Sequence, residues 1–529
     1  MRKLKQTGLL TLLALGIGVG CEYYDYDIAG GDLWDTSIAA ANDGVYINLP
    51  VVGDLIRIGV GEGTFSGVKL IDLNGASPER LVASPDGTKI LVFASWLECK
   101  DDSKDVVYFE DCDDDDRVDH SVLDIVSDGS LTNEIAIPSH LNTVSFSNDG
   151  EIAVAYLNYQ NDSNIDVEGF ADLGEVAFIR LEDGTKGSAS VGFSPSEILF
   201  SPDGQAVVMS RSQVVAVDLE TFERTLEAPL TLDADQAINP SGAELAFDAD
   251  SGVSTLLLTV QGSSDLYMLD LESKYWNIGD LGAIPSDIGV DNASSQSVFV
   301  FGTSSKAVIL DHSELSTLNS SSLEDIDLEE PANAVQIGDG FAILYNDYND
   351  YVHDVYKLNL ETKELTEYVV GNPVSTLSIT PSGRYAVSID RPESATGSGI
   401  DYYQDSRWGI SIMDLSGDDV VSLVAESKPI GLALVEDEEN SYALALLEGS
   451  DTLLQVNLAN PTSADEVDLP AAPVAIASMP DGNFAISHDQ GLGMVSVLDP
   501  NSLELKTVSN FAAIHLFEQK ELPRRNGEE

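Results

Sequence analysis

The chain has 529 residues, and 90 aspartates and glutamates against 26 lysines and arginines give it a formal net charge of -64 at pH 7. Such a surface repels phosphate backbones and anionic headgroups, which excludes nucleic acid as a partner and leaves a covalent lipid as the membrane contact. With 43% apolar residues the chain is still a folded body and not a disordered polyanion. Its acidity has two physical readings: a hydrated carboxylate skin suited to saline surroundings, or local clusters that take up divalent cations.

At the N-terminus Arg2, Lys3 and Lys5 precede an apolar run from Leu9 to Val19, the pattern of a signal peptide and too short for an ordinary spanning helix. The run closes on Gly18-Val19-Gly20-Cys21, which resembles the lipobox of bacterial lipoproteins, although Gly18 stands where that family usually has an aliphatic residue. The resemblance implies removal of residues 1–20, a lipid on Cys21 as the first mature residue and, because Glu22 and not Asp follows, an outer-membrane address on the periplasmic or cell-surface side. Residues 21–40 then read as a tether, 41–517 as the folded domain and 518–529 as a flexible tail. With Cys21 committed to lipid, Cys99 and Cys112 remain as a pair, and an oxidising compartment favours a disulfide between them.

From Asn42 onward a short phrase returns: a small or polar residue, then Asp or Ser, then Gly, opening an apolar strand. Full copies are Ser84-Pro85-Asp86-Gly87 and Ser201-Pro202-Asp203-Gly204, with looser ones at Asn42-Asp43-Gly44, Ser147-Asn148-Asp149-Gly150, Pro240-Ser241-Gly242, Pro381-Ser382-Gly383 and Pro480-Asp481-Gly482. Each has a later companion, a strand ending in Asp or Asn, marked by Asp72, Asp218, Asp270, Asp311, Asn359, Asp414, Asn457 and Asp499. Most intervals are about 40 to 55 residues, room for four short strands, and runs such as Val214 to Val217 carry a strand period. The Asp residues of the turn phrase are expected to bond their own backbone.

These residues resemble β-propellers with surface-layer, YVTN-type or WD40-like periplasmic repeats, over about residues 40 to 510. The resemblance implies an all-β propeller of four-stranded blades; about ten units are counted, so seven to ten blades, in one ring or two joined rings. Closure is expected to join strands from both ends of the chain in one blade, with Tyr46 to Leu49 and Phe511 to Phe517 as the candidates.

Three features suggest sites. In the 110 to 124 segment, Asp111, Asp113, Asp115, Asp119 and Asp124 are spaced so that several carboxylates could meet on one hard cation, and the segment looks like the aspartate-rich loops of calcium repeats; calcium is the one cofactor considered, against a plain solvated loop. Tyr345, Tyr348 and Tyr351, and separately Tyr402, Tyr403 and Trp408, offer aromatic ligand surface on loops, against packing on their own blade. Six scattered histidines would matter only if they converged in a central channel. No nucleophile elbow, P-loop or zinc-protease motif is present, so no catalytic residue is assigned. The leading reading is a non-enzymatic, lipid-anchored scaffold for a protein or polysaccharide partner. The alternatives are a periplasmic propeller enzyme, lactonase-like or quinoprotein-like, and a structural surface-layer component.

Overall fold

The repeated turn builds itself from its own side chains. The Ser84 hydroxyl donates to Asp86 Oδ1 at 2.6 Å and accepts the Lys89 amide at 3.0 Å, while Asp86 Oδ1 accepts the Thr88 amide at 3.0 Å. Gly87, at a φ of 65°, supplies the left-handed residue that closes the turn. Ser147 and Asp149 make the same bonds at 2.5, 3.0 and 2.9 Å, and Ser201 bonds Asp203 likewise. The aspartates of the phrase are turn formers, as expected. The strand-ending residues cap a second turn: Asp218, Asp270, Asn359, Asp414 and Asp499 each accept a backbone amide two residues on, at 2.9 to 3.1 Å.

The computed structural model describes residues 38–49, 54–61, 64–99, 117–158, 172–233, 236–238, 240–249, 251–317, 322–393, 403, 405–436, 441–462, 464–479, 482–488 and 494–509. Ten four-stranded antiparallel sheets follow one another along them as the blades of a ten-bladed propeller. Blades 1 to 10 span 38–71, 77–137, 143–190, 195–229, 240–280, 287–327, 334–369, 374–424, 429–468 and 473–509. A short hairpin, Thr231–Asp233 with Gln236–Ala237, sits between blades 4 and 5. Neighbouring blades approach most closely through their first strands, which places those strands at the axis.

The core is ten apolar clusters, one between each pair of neighbours. In strand Gln213–Asp218, Val214 and Ala216 pack toward blade 5 while Val215 and Val217 pack toward blade 3. Both faces of the blade are therefore dry. This explains why the strand reads as an unbroken apolar run where a one-sided sheet would alternate, and burying each such side chain contributes about 1.5–3 kcal/mol. The last cluster joins Ala40, Val45 and Ile56 of blade 1 to Met479, Ala485 and Val497 of blade 10, so the ring closes as one body.

Closure differs from expectation. Tyr46 to Leu49 belong to a strand paired on both sides by neighbours from residues 38–61, and blade 10 is complete without any N-terminal strand. Blade faces, and not a shared blade, make the seam among the described residues; Phe511 to Phe517 lie outside them. Next to the seam Tyr46 is fully buried, its hydroxyl donating to Asp43 at 2.8 Å and accepting the Gly129 amide of blade 2 at 2.9 Å.

Up-and-down sheets sort the connections. First-to-second and third-to-fourth turns carry most copies of the two sequence phrases and lie on one face of the ring; Pro240-Ser241-Gly242, read as a turn, instead opens the first strand of blade 5, and Asp72 follows the fourth strand of blade 1 in the link to blade 2. Second-to-third loops and the links between blades lie on the other, so residues 346–353, 391–393 and 405–408 belong to that loop face.

Candidate functional site

The blade 7 loop is shaped by two asparagines. Asn346 Oδ1 accepts the amides of Tyr348 at 3.1 Å and Asn349 at 2.7 Å, its amide nitrogen donates to the Pro331 carbonyl at 2.8 Å, and Asn349 accepts the Tyr351 amide at 3.0 Å. Asn333 exchanges two more bonds with Asp347, at 2.7 and 2.9 Å. Fixed in this way, Tyr348 and Tyr351 are 85% and 74% exposed. Tyr345 is different: it is half-buried against the core between blades 7 and 8, and burial, with help from the charges of Asp347 and Asp287, pushes its hydroxyl up to about 12.

The blade 8 insertion is tied to that loop. Arg391 donates from Nε to Asp350 at 3.0 Å and from Nη1 to the Asp347 carbonyl and, at 3.0 Å, to the Val374 carbonyl. His353 Nε2 lies 3.9 Å from Glu393, and Asn372 donates to the Arg407 carbonyl at 2.7 Å. Within the insertion the Arg407 guanidinium covers the Tyr403 ring at 4.3 Å, and the Lys428 ammonium lies 5.6 Å from the Trp408 ring. Tyr403 is 49% exposed and Trp408 half-buried, while Tyr402 lies outside the described residues. Two aromatic groups distant in sequence thus stand on adjoining blades of the loop face, joined by Arg391, a residue that sequence reasoning passed over.

Beneath the rim lies a buried relay that was also missed. Asp390, 1% exposed, accepts the hydroxyls of Ser388 at 2.6 Å and of Ser411; Ser422 lies 2.7 Å from Ser411 and accepts the Gly371 amide at 2.9 Å. Burial pushes the Asp390 carboxyl up to about 7, against the lowering effect of the two serines. Blade 10 repeats the arrangement with another residue type. His488 Nδ1 donates to the Ala471 carbonyl at 2.8 Å, its Nε2 meets Ser496 at 2.7 Å, and Ser496 meets Thr507 at 2.8 Å, with burial pushing the imidazole pKa down. The available signal was a lone serine inside an apolar strand, as at Ser411 and Ser496.

At the axis the first strands of blades 4 to 6 bring Glu197 and Asp287 near enough to act on Glu244. Burial and then the Glu197 and Asp287 charges push Glu244 up to about 7, and burial also raises Glu197 and Asp287. Among the described residues no three His, Cys, Asp or Glu side chains are grouped to hold a metal. The described histidines do not converge: His120 stacks on Trp96 in blade 2, His140 lies in the link from blade 2 to blade 3, and His312, His353 and His488 belong to blades 6, 7 and 10.

The acidic segment is in part a strand. Residues 117–124 belong to strand Arg117–Ser127, which pairs with Ile90–Cys99 along its length. Val122, Leu123 and Ile125 pull the run into the blade, and Asp124 is fully buried opposite Val92 and Glu134. Asp119 and Asp124 are five residues apart on that strand, about 16 Å, too far for one cation. Asp111, Asp113, Asp115, Cys112 and Cys21 lie outside the described residues, and with them the loop's other carboxylates, the Cys99 pairing and the lipid site.

No protein-family model matches the chain, and no curated protein matches it either. Among solved structures the chain is similar to a eukaryotic initiation factor, with a TM-score of 0.44 and 11% identity over 73% of this chain and 88% of that one. It is similar also to dihydro-heme d1 dehydrogenase NirN, at a TM-score of 0.42 and 11% identity over 73% and 71% of the two chains. A third likeness is to apo AztD from Citrobacter koseri, at 0.36 and 9% identity over 66% and 92%. Similarities of this size carry no conclusion about activity; the site has to be read from its own residues.

Proposed function

We propose that this protein is an outer-membrane lipoprotein, held by a lipid on Cys21, that works without catalysis as a binding scaffold and takes a protein or polysaccharide partner on the loop face of blades 7 and 8. The observation that carries the reading is the exposure of Tyr348, Tyr351 and Tyr403 on loops braced from below by asparagine bonds and across the blades by Arg391. Tyrosines with few degrees of freedom, on a preordered surface, give contact area at little entropic cost. Calcium in the acidic segment of blade 2 belongs to the same proposal as a stabiliser of that segment alone, with Asp111, Asp113 and Asp115 as the remaining ligands.

The test is photo-crosslinking in whole cells from a benzophenone residue placed at 348 or 351, with position 275 on the turn face as control. A discrete adduct from the rim positions, lost when Tyr403 is changed to Ala, is expected. Equal labelling from all three positions, together with no retardation of the protein in polysaccharide gels, would overturn the scaffold reading. For the anchor, Cys21→Ser is expected to move the protein from the membrane to the soluble fraction.

A further inference from the structure

We propose that the rim of blades 7 and 8 receives a basic protein segment, with Tyr348 and Tyr351 as the rings on which its lysine or arginine side chains settle. The inference rests on the scaffold reading above and narrows the partner to one chemistry. Four aromatic rings are described on this rim, and two of them already carry a cation from the chain itself: Arg407 over Tyr403 at 4.3 Å and Lys428 near Trp408 at 5.6 Å. Both distances lie within the range over which a ring face attracts a cation. Tyr348 and Tyr351 are the most exposed of the four, at 85% and 74%, and the cations and rings placed over aromatic faces among the described residues sit on other side chains.

Their surroundings favour positive charge. Asp347 and Asp350 directly precede the two tyrosines. In the link from blade 6 to blade 7, Glu330 and Glu329 act on Asp354, whose carboxyl is pushed up first by burial and then by those charges, against the lowering effect of His353, so the local field is negative. Arg391, the cation that reaches into this loop, is engaged with Asp350 and two carbonyls.

Among partners, an anionic polysaccharide is repelled by a chain of charge -64. A neutral glycan would stack on the rings but gain nothing from the negative field. A basic segment satisfies both, and the field of the whole molecule steers it in.

The experiment uses the full chain in detergent and a fluorescein-labelled peptide of alternating arginine and glycine, with the citrulline version as its uncharged match. Fluorescence anisotropy is expected to show binding of the arginine peptide only. Tyr348→Ala with Tyr351→Ala should weaken it about tenfold, the paired Phe variants should bind like wild type, and Tyr275→Ala, exposed on the opposite face, should change nothing. Unchanged melting of these variants separates binding from folding. If the double Ala variant binds the peptide as wild type does, attraction to the polyanion is diffuse and the inference fails. If the two tyrosines instead govern retardation by a neutral glucan gel while peptide affinity is indifferent to them, the basic-segment inference falls and the scaffold reading stands. If neither probe responds to the tyrosines, both fall.

Discussion

Asp390 shows how one side chain can set the pH response of a blade interface. Its carboxyl is pushed from 3.8 up to about 7 in the folded chain, so the native state holds the proton more tightly than the unfolded state. The stability this contributes is fully present below about pH 4 and is lost as pH rises through about 7. Asp390→Asn keeps the shape and hydrogen-bonding capacity without the buried charge. It is expected to match wild type at pH 4 and to exceed it by about 1–3 kcal/mol at pH 8, read by chemical denaturation at both values. His312 and His488 act in the opposite direction, because burial lowers both and favours the neutral ring. Their contribution is present above about pH 6.5 and fades as pH falls below it.

At the scale of the element, the third-to-fourth turn bears a recurring cost. Phe222, Lys274, Lys363 and Leu503 take φ values of 59, 65, 62 and 56°, each four residues after its capping Asp or Asn. The first three bond back to that residue's carbonyl at 2.8 to 2.9 Å. A side chain in the left-handed region costs about 1 kcal/mol, which glycine avoids. Leu503→Gly is therefore expected to raise stability by about 0.5–1 kcal/mol, measured as a shift of the urea midpoint at constant slope. These turns were legible because their bonds span fewer than six residues and set Asp or Asn three residues before Ser or Thr in fixed order. The strand Arg117–Ser127 was not, because its aspartates resemble a loop until Val122, Leu123 and Ile125 are weighed as two buried faces.

Across the whole molecule, the excess of acidic charge is the property that sets the response to salt. With 90 acidic against 26 basic residues, most surface carboxylates have no cationic partner, and their repulsion opposes the compact ring. Raising KCl from ~0.1 to ~2 M screens it and is expected to raise the melting temperature by on the order of 10 °C, whereas sorbitol at equal osmolality should do much less. A melting temperature that is flat in KCl would show that the skin is already neutralised by tightly held cations.

Local chemistry alone was enough to read an approximate count of units and the position of most turns, since a Ser-Asp-Gly turn and an apolar run carry their own conformational preference, whereas the dryness of both blade faces was not read from it. Assembly of the ring decided the rest. Tyr345 and Tyr348 look alike in the chain, yet one is half-buried beside blade 8 and the other stands in solvent. Asp390 is one acid among 90, and only its place inside the folded blade, against Ser388 and Ser411, makes it a buried group. Closure by facing blades, without a shared one, likewise depends on Ala40, Met479 and Val497 meeting across the full length of the sequence. Burial is a property of neighbours, and in a ring many of the neighbours that matter come from other blades.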